Sequence, residues 1–253
     1  MSVIYEPKGR AAEYAHLALN IFTGCSHGCT YCYARDLHKK FGYKTDFDSP
    51  SVKENLLNRL QPDLAKYAGT YKRVLLCFTC DPYQPIEAET QITRDIINEL
   101  RHWSIPFEIL TKAGEVAMRD FDLYGANDAF STTLTFSDPD MSFQYEPNAA
   151  LPTERMFTIS KAHARGITTQ VSLEPVINPA ESLRLIGQSC SVVDLFRIGK
   201  LNHIASATDW RAFGKKALEM CRDFKVDYYI KKDLAAYLDG VPFCNVDTRT
   251  VKR

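Results

Sequence analysis

The sequence predicts an α/β domain: a partial (β/α)6 barrel of the TIM type with a small strand–helix extension at its C-terminal end. Three observations carry this expectation. Six short apolar runs of strand length alternate with stretches of helical periodicity, the pattern that produces a parallel sheet. No internal repeat, low-complexity tract or Gly/Pro/Ser-rich linker divides the 253 residues, so residues 1–253 are expected to form one domain around one core. The longest irregular stretch, residues 137–152, follows the fourth apolar run, on the rim where βα barrels carry their chemistry.

The expected strands are residues 17–22, 73–79, 107–111, 129–135, 168–173 and 192–198. Between the second and third, Ile92, Ile96, Ile97, Leu100 and Trp103 recur at helical spacing. Met156, Ile159 and Ala162 repeat that spacing before Gly166, which supplies a stop. Trp210, Phe213, Ala217, Leu218, Cys221 and Phe224 line one face of a later helix. A last strand over 226–230 and helix over 231–238 are expected at the edge of the sheet. The barrel core thus runs over about 17–205 and the extension over about 206–253.

Lys+Arg and Asp+Glu both number 31, so no global basic field draws the chain to nucleic acid and any such binding must use a local patch. The N-terminal residues lack the apolar core of a signal peptide, and no apolar run approaches the roughly 20 residues that span a bilayer. A cytoplasmic setting without membrane contact is the expectation, and reduced thiols suit it.

Cys25, Cys29 and Cys32 place three thiols within eight residues. Thiolates suit an iron–sulfur cluster, and a cubane has four irons, so three cysteines leave one iron open for chemistry. Zinc is the rival reading, since His27 can in principle complete a Cys3His set. A disulfide framework fits poorly in a long chain with eight cysteines. Cys190, Cys221 and Cys244 are scattered and lack the spacing of a second cluster.

The pattern Cys-x3-Cys-x-aromatic-Cys, with Tyr31 as the aromatic, resembles the signature of radical S-adenosylmethionine enzymes. The wider segment from Leu19 to Arg35 is similar to the branch containing spore photoproduct lyase and DNA repair photolyase-like proteins. Further stretches follow that branch in order: Thr79-Cys-Asp-Pro-Tyr-Gln-Pro-Ile-Glu87, Thr111-Lys-Ala113, Met118-Arg-Asp120, and the spacing from Thr133-Leu-Thr135 to Glu146-Pro147. The similarity runs from about Asn20 to Pro179. It implies a [4Fe-4S] cluster on Cys25, Cys29 and Cys32 with S-adenosylmethionine on the open iron. It also implies reductive cleavage to methionine and a 5′-deoxyadenosyl radical that abstracts hydrogen from a substrate.

The same resemblance assigns cofactor-binding roles to Tyr31, Cys80, Asp81, Lys112, Thr133 and Thr135. Lys112 suits a cofactor carboxylate, and Thr133 and Thr135, two apart on a strand, share a face. Tyr33, Cys80, Tyr83 and Glu174 are the catalytic candidates, with Tyr83 and Gln84 expected to face the substrate cavity. The chain departs from the branch at Phe78, where relatives carry a hydrogen-donating cysteine. Cys77 is one residue out of register and by strand alternation is expected on the other side of the sheet. Cys80 is then the alternative donor. Glu174, in Ser-Leu-Glu-Pro-Val, is a carboxylate at a strand end; a substrate or cofactor contact and a salt bridge to Lys112 or Arg197 are both open. Lys200, Asn202 and His203 are further rim candidates. Lys231, Lys232, Arg249, Lys252 and Arg253 are scattered charges that either touch phosphates or form a solvated surface.

The substrate class implied by resemblance is a pyrimidine base or lesion in DNA, with a flavodoxin or ferredoxin as electron donor. A radical enzyme acting on a nucleotide, a nucleic acid base or a peptide is the alternative. A non-catalytic metal-bearing nucleic-acid-binding module is the reading from a different class.

Overall fold

The structure is a computed structural model that describes residues 2–202, 206–239 and 244. Seven parallel strands form one sheet in sequence order: β1 (Leu17–Leu19), β2 (Val74–Leu76), β3 (Phe107–Thr111), β4 (Ala129–Thr133), β5 (Thr168–Leu173), β6 (Leu195–Ile198) and β7 (Asp227–Ile230). Each strand pairs with its sequence neighbours and the two edges, β1 and β7, do not pair with each other. This is the expected partial barrel, with β7 as the added edge strand. The major helices are α1 (Tyr33–Lys40), α2 (Leu56–Tyr67), α3 (Ile92–His102), α4 (Pro152–Ala164), α5 (Pro179–Ser189) and α6 (Trp210–Asp223).

Alternation along the strands divides the side chains cleanly. Val74, Leu76, Phe107, Ile109, Phe130, Val171, Leu173, Phe196 and Ile198 point outward. They share one apolar core with Ile96, Ile97 and Leu100 of α3, Ile159 and Ala162 of α4, Leu185 and Ile186 of α5, and Phe213, Ala217 and Cys221 of α6. At about 25 cal/mol per Å2 of apolar surface, this layer is the main source of stability. The inner face is different. Its apolar part is a small separate cluster of Tyr14, Ala15 and Leu75, flanked by Phe78 and Leu110. The rest is polar: Glu108 and Arg197 form a buried ion pair, with Arg197 Nη2 donating to Glu108 Oε2 at 3.1 Å and Ser131 Oγ donating to Glu108 Oε1 at 2.7 Å.

The N-terminal segment spans the gap between the sheet edges. Tyr5 exchanges backbone hydrogen bonds with Ala18 on β1 (3.0 and 2.9 Å). At the other edge, Glu13 accepts from the backbone of Lys232 (2.8 Å) and the hydroxyl of Tyr229 (3.2 Å), and Arg10 pairs with Asp233.

Several expectations are corrected. The stretch 137–152 is not wholly irregular, because a helix occupies Pro139–Tyr145. Asp138 caps it by accepting from the N–H groups of Asp140 and Met141, and proline fits its first position. The first expected strand stops at Leu19; Phe22–Thr23 pairs instead with Ser51–Val52 as an antiparallel two-residue ladder. The edge helix is Lys232–Ala235, shorter than expected. His203, Arg249, Lys252 and Arg253 lie outside the described residues. No helix among the described residues is long and apolar enough to cross a membrane.

Candidate active site

The loop between β1 and α1 carries Cys25, Cys29 and Cys32, with Cys32 at the N-cap of α1. All three are free thiols and half-buried. Gly24 (φ 87°) and Gly28 (φ 70°) turn the loop through the left-handed region that glycine tolerates. A Cβ on Gly24 would lie 2.5 Å from the Phe47 carbonyl oxygen, so the backbones there approach too closely for any side chain.

Two walls hold this loop. On one side, the fully buried Gln84 accepts from the Ser26 N–H (3.0 Å) and donates to the Gly24 carbonyl (3.4 Å). On the other, Tyr145 accepts from the Thr30 N–H (2.9 Å). Asn148 donates through its backbone to His27 (3.1 Å) and through its side chain to the Ser26 carbonyl (2.9 Å). Gln84, expected to face a substrate cavity, instead fixes the cysteine loop. Its amide can satisfy a backbone donor and a backbone acceptor at once, which a buried loop requires.

Asp81 joins the loop to the sheet. Its Oδ1 accepts from Thr111 Oγ1 (2.6 Å) and the Tyr83 N–H (2.9 Å), and its Oδ2 accepts from the Lys112 N–H (2.6 Å) with His27 Nδ1 at 3.5 Å. Burial lowers the His27 pKa; Asp81 pulls the other way, and Lys112 and Arg155 reinforce the lowering. His27 is therefore a neutral ring turned towards Asp81. Among the described residues of the metal-free chain no three His, Cys, Asp or Glu side chains converge on one point. Three separate free thiols on one loop are a donor set suited to a cluster, whose irons are spread apart. In the metal-free chain burial raises the Cys25 thiol well above its usual range and pushes Cys29 up to about 11, Lys112 partly opposing the shift at Cys29. A metal bound there would have to displace those protons.

Tyr31, Thr135 and Glu146 form a second buried group. The Tyr31 hydroxyl donates to Glu146, lies 3.1 Å from Thr135 Oγ1, and Thr135 donates to the same carboxylate at 3.1 Å. Arg155 closes the group, donating to Glu146 Oε2 (2.6 Å), the Thr133 carbonyl (2.9 Å) and the Ala150 carbonyl (2.7 Å). Burial alone would raise the Glu146 carboxyl, but Arg155 and then Lys112 outweigh it and hold it below the usual range. The Lys112 ammonium sits 5.6 Å from the Tyr31 ring centroid and makes no ion pair among the described residues, so it is available to an anionic group. Glu146 and Arg155 were not singled out in the sequence. Only the placement of Glu146-Pro147 after the fourth strand hinted at them.

The remaining candidates divide. Tyr33 has a half-exposed ring, yet its hydroxyl reaches inward to donate to the Phe78 carbonyl (2.8 Å), and burial of that hydroxyl raises its pKa. Glu174 pairs with neither Lys112 nor Arg197. Its Oε2 accepts from Lys231 (2.5 Å) and from Tyr14 (3.0 Å), whose hydroxyl also lies 2.6 Å from Ser172 Oγ. Tyr83 does not face a cavity: its hydroxyl is buried and donates to Asp120 (3.0 Å), within a network where Arg119 also meets Asp120 (2.8 Å) and Glu87 (2.7 Å). Lys200 turns to the extension, 5.5 Å from the Trp210 ring centroid and 6.0 Å from that of Tyr237, and Asn202 donates to the Lys200 carbonyl (3.3 Å).

Cys77 and Cys80 are both buried, and Cys77 joins the outer apolar core while Phe78 packs against the inner cluster of Tyr14, Ala15 and Leu75, so Cys77 lies on the opposite side of the sheet from Phe78, as expected. Burial raises both thiols. At Cys80 the Cys77 thiol, the Phe22 N–H and Lys53 outweigh burial and lower it.

No protein-family model matches the chain. An uncharacterised protein of Mycobacterium tuberculosis is 30% identical over 179 residues, covering 68% of this chain and 52% of its own length. The chain thus spans about half the length of these mycobacterial relatives. An uncharacterised protein of Methanocaldococcus jannaschii is 27% identical over 195 residues, covering 76% and 73%. Among solved structures, a spore photoproduct lyase variant superposes with a TM-score of 0.69 at 12% identity, over 90% of this chain and 78% of that one. Streptococcus suis SuiB bound to S-adenosylmethionine superposes with a TM-score of 0.56 at 10% identity, over 84% and 45%. The fold of this chain is that of the radical S-adenosylmethionine enzymes, in the spore photoproduct lyase-like form.

Proposed function

We propose that the chain is a radical S-adenosylmethionine enzyme acting on a pyrimidine base or lesion in nucleic acid. The observation that carries this reading is the set of three free cysteines on one loop, clamped by Gln84 and Asn148 at the mouth of a polar-lined barrel. Bound there, a [4Fe-4S] cluster supplies the electron that cleaves S-adenosylmethionine to a hydrogen-abstracting radical. The chain's own residues bind and position. Cys25, Cys29 and Cys32 are the cluster ligands. Lys112 offers its ammonium to the methionine carboxylate. Tyr31, held by Glu146 and Thr135, presents a fixed aromatic wall, and Thr133 with Thr135 lines the adjoining strand end. Asp81 acts by positioning, since both its oxygens are already engaged in holding Thr111, Lys112, Tyr83 and His27. Glu174, Lys231 and Tyr14 form the polar side of the mouth that faces a substrate. Tyr33 and Cys80 remain the candidates for returning hydrogen to a substrate radical, Phe78 standing where relatives have cysteine.

The nucleic-acid reading rests on the resemblance and on the spore photoproduct lyase solved with S-adenosylmethionine and a dinucleoside spore photoproduct. SuiB, solved with a precursor peptide, supports peptide modification as the second reading. Deuterium tracing separates them. Under anaerobic, strongly reducing conditions, labelled thymine-containing DNA should transfer deuterium into 5′-deoxyadenosine. Transfer from a peptide alone would move the assignment to peptide chemistry.

A further inference from the structure

We propose that the exposed turn after α1 is the docking surface for an acidic one-electron carrier protein; this inference rests on the cluster reading above. Lys39, Lys40, Phe41, Tyr43 and Lys44 all lie exposed on it. Phe41 is the most exposed large apolar side chain among the described residues, at 70%. None of the three lysines has an ion pair among the described residues. Of the carboxylates alongside, Asp48 is gripped by Arg35 through both guanidinium nitrogens, Asp46 accepts from the Asp48 N–H (3.2 Å) and Ser49 Oγ (3.0 Å), and Asp36 is exposed on the first turn of α1. With Arg35 and Asp48 cancelling, Lys39, Lys40 and Lys44 outnumber Asp36 and Asp46, so a chain whose charges balance overall carries a local excess of positive charge around an aromatic.

The turn is also packed against α1 and tied to the cysteine loop. His38 is buried, stacks on Tyr43 with ring centroids 4.8 Å apart, and hydrogen-bonds the Thr45 carbonyl (2.7 Å). α1 begins at the Cys32 cap and its eight residues span about 12 Å. On the return, the Phe47 carbonyl accepts from the Cys25 N–H at 2.8 Å. The patch is thus tied at both ends to cluster ligands, from outside the barrel, leaving the mouth free for substrate. One electron leaves the carrier, which is oxidised by one, and enters the cluster, which is reduced by one. A cationic rim steers a negatively charged partner, and such steering changes association rates by about 10–10^3-fold at low salt.

The test compares two reductants on anaerobically reconstituted protein, following bleaching of cluster absorbance. Flavodoxin hydroquinone is the carrier probe and dithionite, a small chemical reductant, is the control. The wild-type rate with flavodoxin should fall steeply with salt. The triple variant Lys39→Glu/Lys40→Glu/Lys44→Glu should lose tenfold or more of that rate at low salt while its dithionite rate is unchanged. A triple Lys→Arg variant should keep both rates, and triple Lys→Gln serves if charge reversal prevents folding. Calorimetric affinity for oxidised flavodoxin should weaken in parallel. Unchanged flavodoxin reduction in the charge-reversed protein, or a salt-independent wild-type rate, overturns the assignment. So does a loss confined to binding of single-stranded DNA, which would make the face a nucleic-acid contact. Wild-type protein that dithionite cannot bleach overturns the cluster reading and this one together; bleaching by dithionite with no flavodoxin difference overturns only the docking surface.

Discussion

Replacing Arg155 by methionine isolates the contribution of the most deeply buried ion pair beside the cysteine loop. Arg155 and Glu146 are each about 1% exposed, so the substitution leaves a carboxylate buried without its cation and strips the Thr133 and Ala150 carbonyls of a donor. Breaking a buried pair from one side costs about 3–5 kcal/mol, and each orphaned buried acceptor adds up to about 1–3. Methionine fills much of the stem volume, so little of the loss should come from a cavity. The expected destabilisation is therefore at least about 3 kcal/mol at neutral pH, read as the shift in urea midpoint of the metal-free chain under reducing conditions. The pH dependence gives a second check. In the wild type the Glu146 carboxyl is held below its ordinary value, so its stabilisation is complete above the unfolded pKa, about 4.3, and is lost as pH falls through the folded value. Without Arg155, burial has its main opponent removed and the folded carboxyl moves up, so protonation relieves the variant. The gap between the proteins should narrow as pH falls from 7 towards about 4. Adding Glu146→Gln to Arg155→Met should recover part of the loss. A gap below about 1 kcal/mol, or one that does not change with pH, would refute the pair as a stabiliser of the site.

Other outcomes follow from the same geometry. Gly24→Ala forces a Cβ against the Phe47 carbonyl at a positive φ and should cut iron loading of the reconstituted protein several-fold, measured by iron per chain. Gln84→Ala orphans the Ser26 N–H and should cost about 1–3 kcal/mol, with faster loss of bound iron to a chelator. Lys112→Met should weaken S-adenosylmethionine binding by roughly tenfold or more while leaving iron content intact, since the lysine's free ammonium is not needed to hold the loop. Lys231→Met leaves Glu174 with Tyr14 as its remaining hydrogen-bond donor among the described residues and should lower thermal stability, and Glu174→Gln in the same protein should restore part of it.

Much of the barrel was legible because its signals are local. Residues 107–111 and 168–173 coincide with strands, and the apolar faces of α3 and α6 bury Ile96, Ile97, Leu100, Phe213 and Cys221 as their spacing implies. Cys25, Cys29 and Cys32 announce themselves by spacing on one loop. What escaped depends on contacts between distant segments. Gln84 lies 58 residues from Ser26, Lys231 lies 57 from Glu174, and Tyr14 lies 158 from Ser172; only the folded sheet and its loops bring them together. Tyr83 and Gln84 adjoin in sequence yet serve the Asp120 network and the cysteine loop respectively.

The central claim is that three cysteines hold a cluster with one iron open to S-adenosylmethionine. Electron paramagnetic resonance of the reduced, anaerobically reconstituted chain tests it most directly, alongside iron and acid-labile sulfide analysis. The account predicts about four irons and four sulfides per chain and a reduced-cluster signal that changes when S-adenosylmethionine is added, all lost in Cys29→Ala. One zinc per chain without sulfide, or a cluster signal indifferent to S-adenosylmethionine, would contradict it.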